Sequence, residues 1–153
     1  MTVRIDPAVA ADGASIRALL GEEKLPVADL ETAPLRLWVA RDGSRVVGAV
    51  GLERYGSAAL LRSLVVAADY RRSGLGQELV FTLEQAARAA GVKLLVLLTQ
   101  TAEPFFAHLR YSVIDRAYVP DEVRQSAEFR SLCPASATCM TKSLHSSNSL
   151  ETT

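Results

Sequence analysis

The chain has 153 residues, 49% hydrophobic and 22% charged, which is enough for one buried core and leaves little room for a second domain. Seventeen basic residues balance seventeen acidic ones, so there is no electrostatic footprint for nucleic acid or an anionic membrane. The longest apolar runs, such as residues 94–98, are far too short to span a bilayer, and residues 1–6 carry no apolar signal core, so a cytoplasmic location is expected.

In chain order, residues 3–6 read as a first strand, and residues 10–20 as a helix with Ala14, Ile16, Leu19 and Leu20 at near-helical spacing. A short helical piece is expected at residues 27–31, ended by Pro34. Residues 35–41 form a strand, Asp42-Gly43 is a hairpin signal, and residues 45–55 return as a longer strand. Gly56-Ser57 turns the chain into residues 58–66, nearly all apolar, as a strand buried on both faces would be.

A polar loop at residues 69–74 follows, and then a helix from Leu75 with Leu79, Leu83, Ala86 and Ala90 at spacings of three and four, closed by Gly91. Residues 93–99 read as another buried strand, 104–109 as a short amphipathic helix, 111–115 as a strand, 120–125 as a helical turn and 138–142 as a last strand. Residues 145–153 are Ser- and Thr-rich, which implies a loose tail behind a single domain at 1–144. Hairpins first and a strand–helix–strand unit second give an α+β arrangement, with a mixed, mostly antiparallel sheet of about six or seven strands and flanking helices.

The segment Leu64 to Gly76 delivers a glycine-bearing loop from a buried strand onto a helix N-terminus. Such a terminus offers unpaired N–H groups and the positive end of the helix dipole, which together bind phosphate oxygens. Gly74 and Gly76 let an anion approach the main chain, while Arg71 and Arg72 supply charge. A plain strand–turn–helix connection, with glycines for packing and arginines for solubility, is the simpler alternative. No third glycine completes a dinucleotide fingerprint, and no Gly-Lys-Ser or Gly-Lys-Thr marks a nucleotide-triphosphatase loop.

Arg71-x-x-Gly74-x-Gly76, preceded by Leu64-x-Val66 and followed by a long amphipathic helix, resembles the acetyl-CoA motif of the GNAT superfamily of N-acetyltransferases. The order of elements is similar over all but the tail, and residues 102–111 resemble the family's fourth helix. The resemblance implies acetyl-CoA as co-substrate. It implies pyrophosphate contacts from Arg71, Arg72, Ser73, Gly74, Leu75 and Gly76, and backbone pairing of the pantetheine arm with Leu64, Val65 and Val66. It also implies that the strands at 58–66 and 93–99 are parallel neighbours that splay apart, with Thr99, Phe105 and Phe106 beside the arm. Ala68 stands where proline is common, Arg72 and Arg110 where glycine is common, and Phe106 where many members have a tyrosine acid.

Glu53 is the first candidate for the base that deprotonates the acceptor amine. It lies in an apolar strand, on one face with Val47, Ala49 and Gly51, and is expected to be half-buried; the alternative is an exposed strand-end residue paired to Arg54 or Arg62. Tyr111 is a substitute acid or a core aromatic. Arg62 and Ser63 sit inside the buried strand, and a guanidinium there fits a substrate carboxylate or an internal partner such as Glu53 or Asp115.

Residues 61–66, 97–99, 103–106 and 132–140 resemble the branch that contains short N-acetylglutamate-synthase-like proteins and arsenic-resistance-associated acetyltransferases. That implies a small amino-acid-like acceptor. The other readings are acetylation of protein amines and a non-catalytic acetyl-CoA sensor. No metal is expected, because Cys133 and Cys139 are two ligands where zinc wants three or four. The expected partner is a small molecule, and the chain is expected to be a monomer or homodimer.

Overall fold

The computed structural model describes residues 3–28, 30, 34–132 and 136–144, with the backbone alone at 131 and 132. Seven strands are hydrogen-bonded in the order β1-β2-β3-β4-β5-β7-β6. They are β1 (Val3–Pro7), β2 (Leu35–Asp42), β3 (Arg45–Tyr55), β4 (Ala58–Val66), β5 (Leu94–Thr99), β6 (Ser112–Val113) and β7 (Thr138–Ser143). Among the described residues four α-helices accompany them: α1 (Gly13–Glu22), α2 (Leu75–Ala89), α3 (Glu103–His108) and α4 (Asp121–Arg124). The expected mixed, mostly antiparallel sheet is present, with β4 and β5 as its parallel pair.

The residues group into two compact units that alternate along the sequence. The first takes residues up to Glu53 and the stretch Leu61–Leu83. In it β1 and β2 pair antiparallel from Val3↔Asp42 to Pro7↔Trp38, and β2 pairs β3 with a register shift at Ala40/Arg41. Ile16 and Leu20 of α1, Val39, Val47 and Val50 of the strands and Leu79 of α2 are buried in this unit. Gly48 sits in a tight place: a Cβ on it would lie 3.0 Å from Leu79 Cδ1 and 3.1 Å from the Val65 carbonyl, so a neighbour would have to shift. Asp12 is buried and accepts two hydrogen bonds from Arg41, at 2.6 and 2.7 Å, which ties the start of α1 to β2.

The second unit holds Arg54–Leu60 and the chain from Glu84. Its parallel ladder runs over Ala58↔Leu94, Ala59↔Leu95 and Leu60↔Val96, and β5 pairs β7 antiparallel from Leu94↔Ser143 to Thr99↔Thr138. Ala58, Leu60, Val96, Val119, Val123 and Cys139 form a buried cluster, with Tyr55, Leu98, Ile114 and Phe129 packed against it.

Two expectations need adjustment. The strand at 111–115 shrinks to Ser112–Val113, because Asp115 turns the chain by accepting from the Ala117 N–H at 2.9 Å. Residues 27 and 28 are not helical; the piece expected there also includes 29 and 31, outside the described residues. A five-residue π-helical turn, Glu128–Leu132, has no periodic signal in the sequence. The tail at 145–153 also lies outside the described residues, and among those described no helix is long and apolar enough to cross a membrane.

Candidate active site

In the first unit, β4 runs through the short turn Ala68–Tyr70 into the loop that opens α2. Arg72 and Gly74 both have left-handed backbones, φ 64 and 86, with Ser73 between them. Alternation of that kind turns successive N–H groups toward one side, and the first turn of α2 adds more donors without intrahelical partners. A Cβ built on Gly74 meets no atom within 4 Å, so the approach is open. These residues therefore suit a phosphate group: the donors are main-chain N–H groups, exposed, at the positive end of a 15-residue helix.

Side chains fix that loop. Tyr70 donates to Asp42, and Arg45 donates twice to Asp69, at 2.8 and 3.1 Å, while lying over the Tyr70 ring. The Asp42 bond holds the Tyr70 hydroxyl above its usual range, and the Arg45 guanidinium holds Asp69 below the usual carboxylate range. Ser73 Oγ donates to the Tyr70 carbonyl. Arg71 does not stand free as a phosphate ligand: Nε donates to the Val66 carbonyl at 3.1 Å, and Nη2 lies 2.7 Å from Glu23.

Upstream, Ser63 has φ 61 in the middle of β4, a left-handed residue in a strand, as at a β-bulge. Beyond it Val65 is buried while Leu64 and Val66 are half-buried. Ser63 Oγ is buried with no hydrogen-bond partner among the described residues. Glu53 and Arg62, read from the sequence either in separate roles or as a pair, come together. Arg62 Nη1 donates to Glu53 Oε1 at 3.1 Å, with side-chain exposures of 1% and 2%. The expectation of a half-buried Glu53 is corrected: hydrogen-bonded β3 is covered over Val46–Glu53, and its carboxylate meets an internal cation.

The second unit contains Thr99, Phe105 and Phe106. Thr99 Oγ1 accepts from the Ala102 N–H at 3.0 Å and so positions the start of α3. Phe106 is buried edge-on to Phe105 and Tyr111, with ring centroids 5.0 and 5.5 Å apart. The Tyr111 hydroxyl donates to Glu84 Oε2 at 2.8 Å, and Lys142 Nζ donates to the same oxygen at 3.0 Å. Burial, with the Glu84 charge beside it, pushes the Tyr111 phenol far above its ordinary value, and the hydroxyl proton is directed at Glu84. No spacing rule links Glu84, Tyr111 and Lys142, and sequence reading missed the group.

The structure explains Arg110, which stands at φ 76 just past α3. The Tyr111 N–H returns to the Phe106 carbonyl and the Arg110 N–H to the Ala107 carbonyl, both at 3.0 Å, a Schellman turn completed by the Phe106–Tyr111 contact. Cys139 is buried and its thiol is pushed up to about 11 by desolvation; Cys133 lies outside the described residues. Among the described residues no three His, Cys, Asp or Glu side chains gather as for a metal.

A family model described as an acetyltransferase (GNAT) domain matches residues 33–113, more than half of the chain. The chain belongs to the GNAT family. The match runs from just before β2 to β6 and includes the loop at Arg71–Gly76. No curated protein sequence matches this GNAT chain. Among solved structures, N-acetylglutamate synthase from Neisseria gonorrhoeae, complexed with coenzyme A and N-acetyl-glutamate, superposes with TM-score 0.81 at 18% identity, covering 95% of this chain and 36% of that one. The GNAT chain thus spans about a third of that synthase. The protein Rv2747 from Mycobacterium tuberculosis, in complex with CoA, gives TM-score 0.79 at 24% identity, covering 93% and 99%. An aminoglycoside 6'-N-acetyltransferase complexed with coenzyme A gives 0.71 at 16% identity, covering 93% and 97%. At these identities the likeness is one of fold.

Proposed function

We propose that this GNAT protein is an acetyl-CoA-dependent N-acetyltransferase acting by direct attack of a small, amino-acid-like amine. The observation that carries the reading is the junction of β4 and α2, an exposed, N–H-rich loop built on the left-handed residues Arg72 and Gly74. In this reading Arg71, Arg72, Ser73, Gly74, Leu75 and Gly76 bind the pyrophosphate. Main-chain groups of Leu64, Val65 and Val66 hold the pantetheine arm, and the sequence resemblance assigns Thr99, Phe105 and Phe106 to the cofactor as well. Residues 1–144 form the catalytic domain, and the protein acts in the cytoplasm as a monomer or homodimer.

Acetyl-CoA supplies an acetyl group activated as a thioester. The chain's own task is to orient the acceptor and take its proton, because an amine with pKa about 10 is protonated at neutral pH. Glu53 is assigned as base, acting through a water, with its carboxylate oriented by Arg62. Arg62 and Ser63 are assigned to the acceptor, whose carboxylate would compete with Glu53 for the guanidinium. Phe106 carries no proton and the Tyr111 hydroxyl is bound to Glu84, so the thiolate leaves without help from either. The sequence resemblance and the likeness to N-acetylglutamate synthase support a glutamate-like acceptor; the sequence resemblance alone extends this to its phosphorus and arsenic analogues and to a part in arsenic resistance.

The test is a thiol-release assay with acetyl-CoA against amino acids and these analogues. Acceptor-dependent thiol release, with the acetylated amine seen by mass spectrometry, is the expected result. A second reading, binding of the cofactor without turnover, is favoured by the engagement of Glu53 and Tyr111 in internal pairs. Tight binding of acetyl-CoA without thiol release across the acceptor panel would select it.

A further inference from the structure

Glu23 caps the C-terminus of α1 in a closed turn. Lys24 has φ 58, the Leu25 N–H returns to the Leu20 carbonyl at 2.9 Å, and the Lys24 N–H returns to the Gly21 carbonyl at 3.1 Å. This is a Schellman turn, which gives the chain a defined direction at Glu23. The carboxylate of Glu23 lies 2.7 Å from Arg71 Nη2, at the negative end of the α1 dipole, where a cation is doubly welcome. The same guanidinium donates through Nε to the Val66 carbonyl at 3.1 Å. Arg71 is thus held by a carboxylate on one side and by the last carbonyl of β4 on the other.

We propose that Glu23 is an internal competitor for the cofactor pyrophosphate. Its carboxylate holds Arg71 over the Val66 carbonyl, and acetyl-CoA binds by taking the guanidinium away from it. The inference rests on reading the Arg71–Gly76 loop as the pyrophosphate site. One guanidinium faces two anions, and both side chains of the existing pair are well exposed, so exchange is unobstructed. The swing uncovers the Val66 carbonyl in the same motion, so one latch covers both the phosphate and the pantetheine ends of the proposed site. An exposed ion pair of this kind changes an equilibrium by about two- to fivefold, enough to tune affinity and too little to block binding.

The experiment is calorimetric titration of CoA into the wild type, Glu23→Gln, Arg71→Gln and the double variant, at low and high salt, with melting curves as the check on folding. Glu23→Gln is expected to tighten CoA binding about two- to fivefold at low salt, with the gain shrinking as salt screens the pair. Arg71→Gln weakens binding, and adding Glu23→Gln to it restores nothing. Unchanged or weaker binding by a folded Glu23→Gln overturns the proposal. So does a gain that persists without Arg71, because Glu23 would then act as a distant charge and not as a latch. Gly76→Asp separates the two layers. If it binds CoA as the wild type does, the loop reading fails and the latch with it; if it loses CoA while Glu23→Gln changes nothing, the latch alone fails.

Discussion

Arg62 and Glu53 lie nine residues apart on neighbouring strands and form an ion pair at 3.1 Å in which neither side chain reaches solvent. Breaking such a pair strands a charge in the interior, which costs about 3–5 kcal/mol, whereas replacing both partners by apolar groups of similar size costs far less. Arg62→Met and Glu53→Leu should therefore each be strongly destabilised in urea unfolding. The double variant should recover most of the loss.

The same pair sets an expectation for acceptors. Arg62→Lys keeps the charge and loses the planar fork, so the melting temperature should fall. If Arg62 also grips a substrate carboxylate, the variant should lose activity on a carboxylate acceptor by about tenfold or more beyond its loss on the matching amide. Equal fractional losses for acid and amide would confine Arg62 to the internal pair.

Gly76→Asp places a carboxylate in the first turn of α2, where the helix dipole tolerates or favours it. Folding should be nearly unchanged. If the loop holds the pyrophosphate, CoA binding should fall below detection, because the added charge would then face it. Gly74→Asp is a poorer probe, since its φ of 86 adds strain of about 1–2 kcal/mol.

Arg72 and Arg110 hold left-handed backbones that favour glycine, with φ 64 and 76. Arg110→Gly should raise stability by about 0.5–1 kcal/mol, the relief of strain less the extra freedom of glycine in the unfolded chain. Arg72→Gly should stabilise by a similar amount and lose one cation from the loop. Denaturant midpoints measure both.

Asp12 is held below the usual carboxylate range, chiefly by its hydrogen bonds from Arg41. Its contribution is fully present above the unfolded-state value near pH 4 and is lost as the pH falls through the lower folded value. Asp12→Asn should cost about 1.5–3 kcal/mol at pH 7, and the difference should narrow as the pH falls below about 4. Urea unfolding of wild type and variant across that range checks the convergence.

Burial pushes the Cys139 thiol up to about 11, so at pH 8 it is held as the unreactive thiol. In a Cys133→Ser background, alkylation of the folded protein should be about two orders of magnitude slower than in urea. Rapid labelling of the native state would contradict the burial.

The strands and helices, and the loop between β4 and α2, were legible because their signals are local. Asp42-Gly43 and Gly56-Ser57 mark turns by backbone preference, α2 announces itself by its apolar stripe, and Gly74 and Gly76 lie within one short segment. The neighbours of each charged side chain were not legible in that way. Sequence reading weighed Glu53–Arg62 among several pairings, but strand placement chose it, and Asp12 meets Arg41 because a helix start packs over β2. Glu84, Tyr111 and Lys142 come from α2, the turn after α3 and β7, and only packing within the second unit brings them to one carboxylate oxygen. Local sequence sets φ, ψ and turn preferences, residue by residue. Which buried charge finds which partner depends on strand register and helix packing, and only the folded chain fixes both.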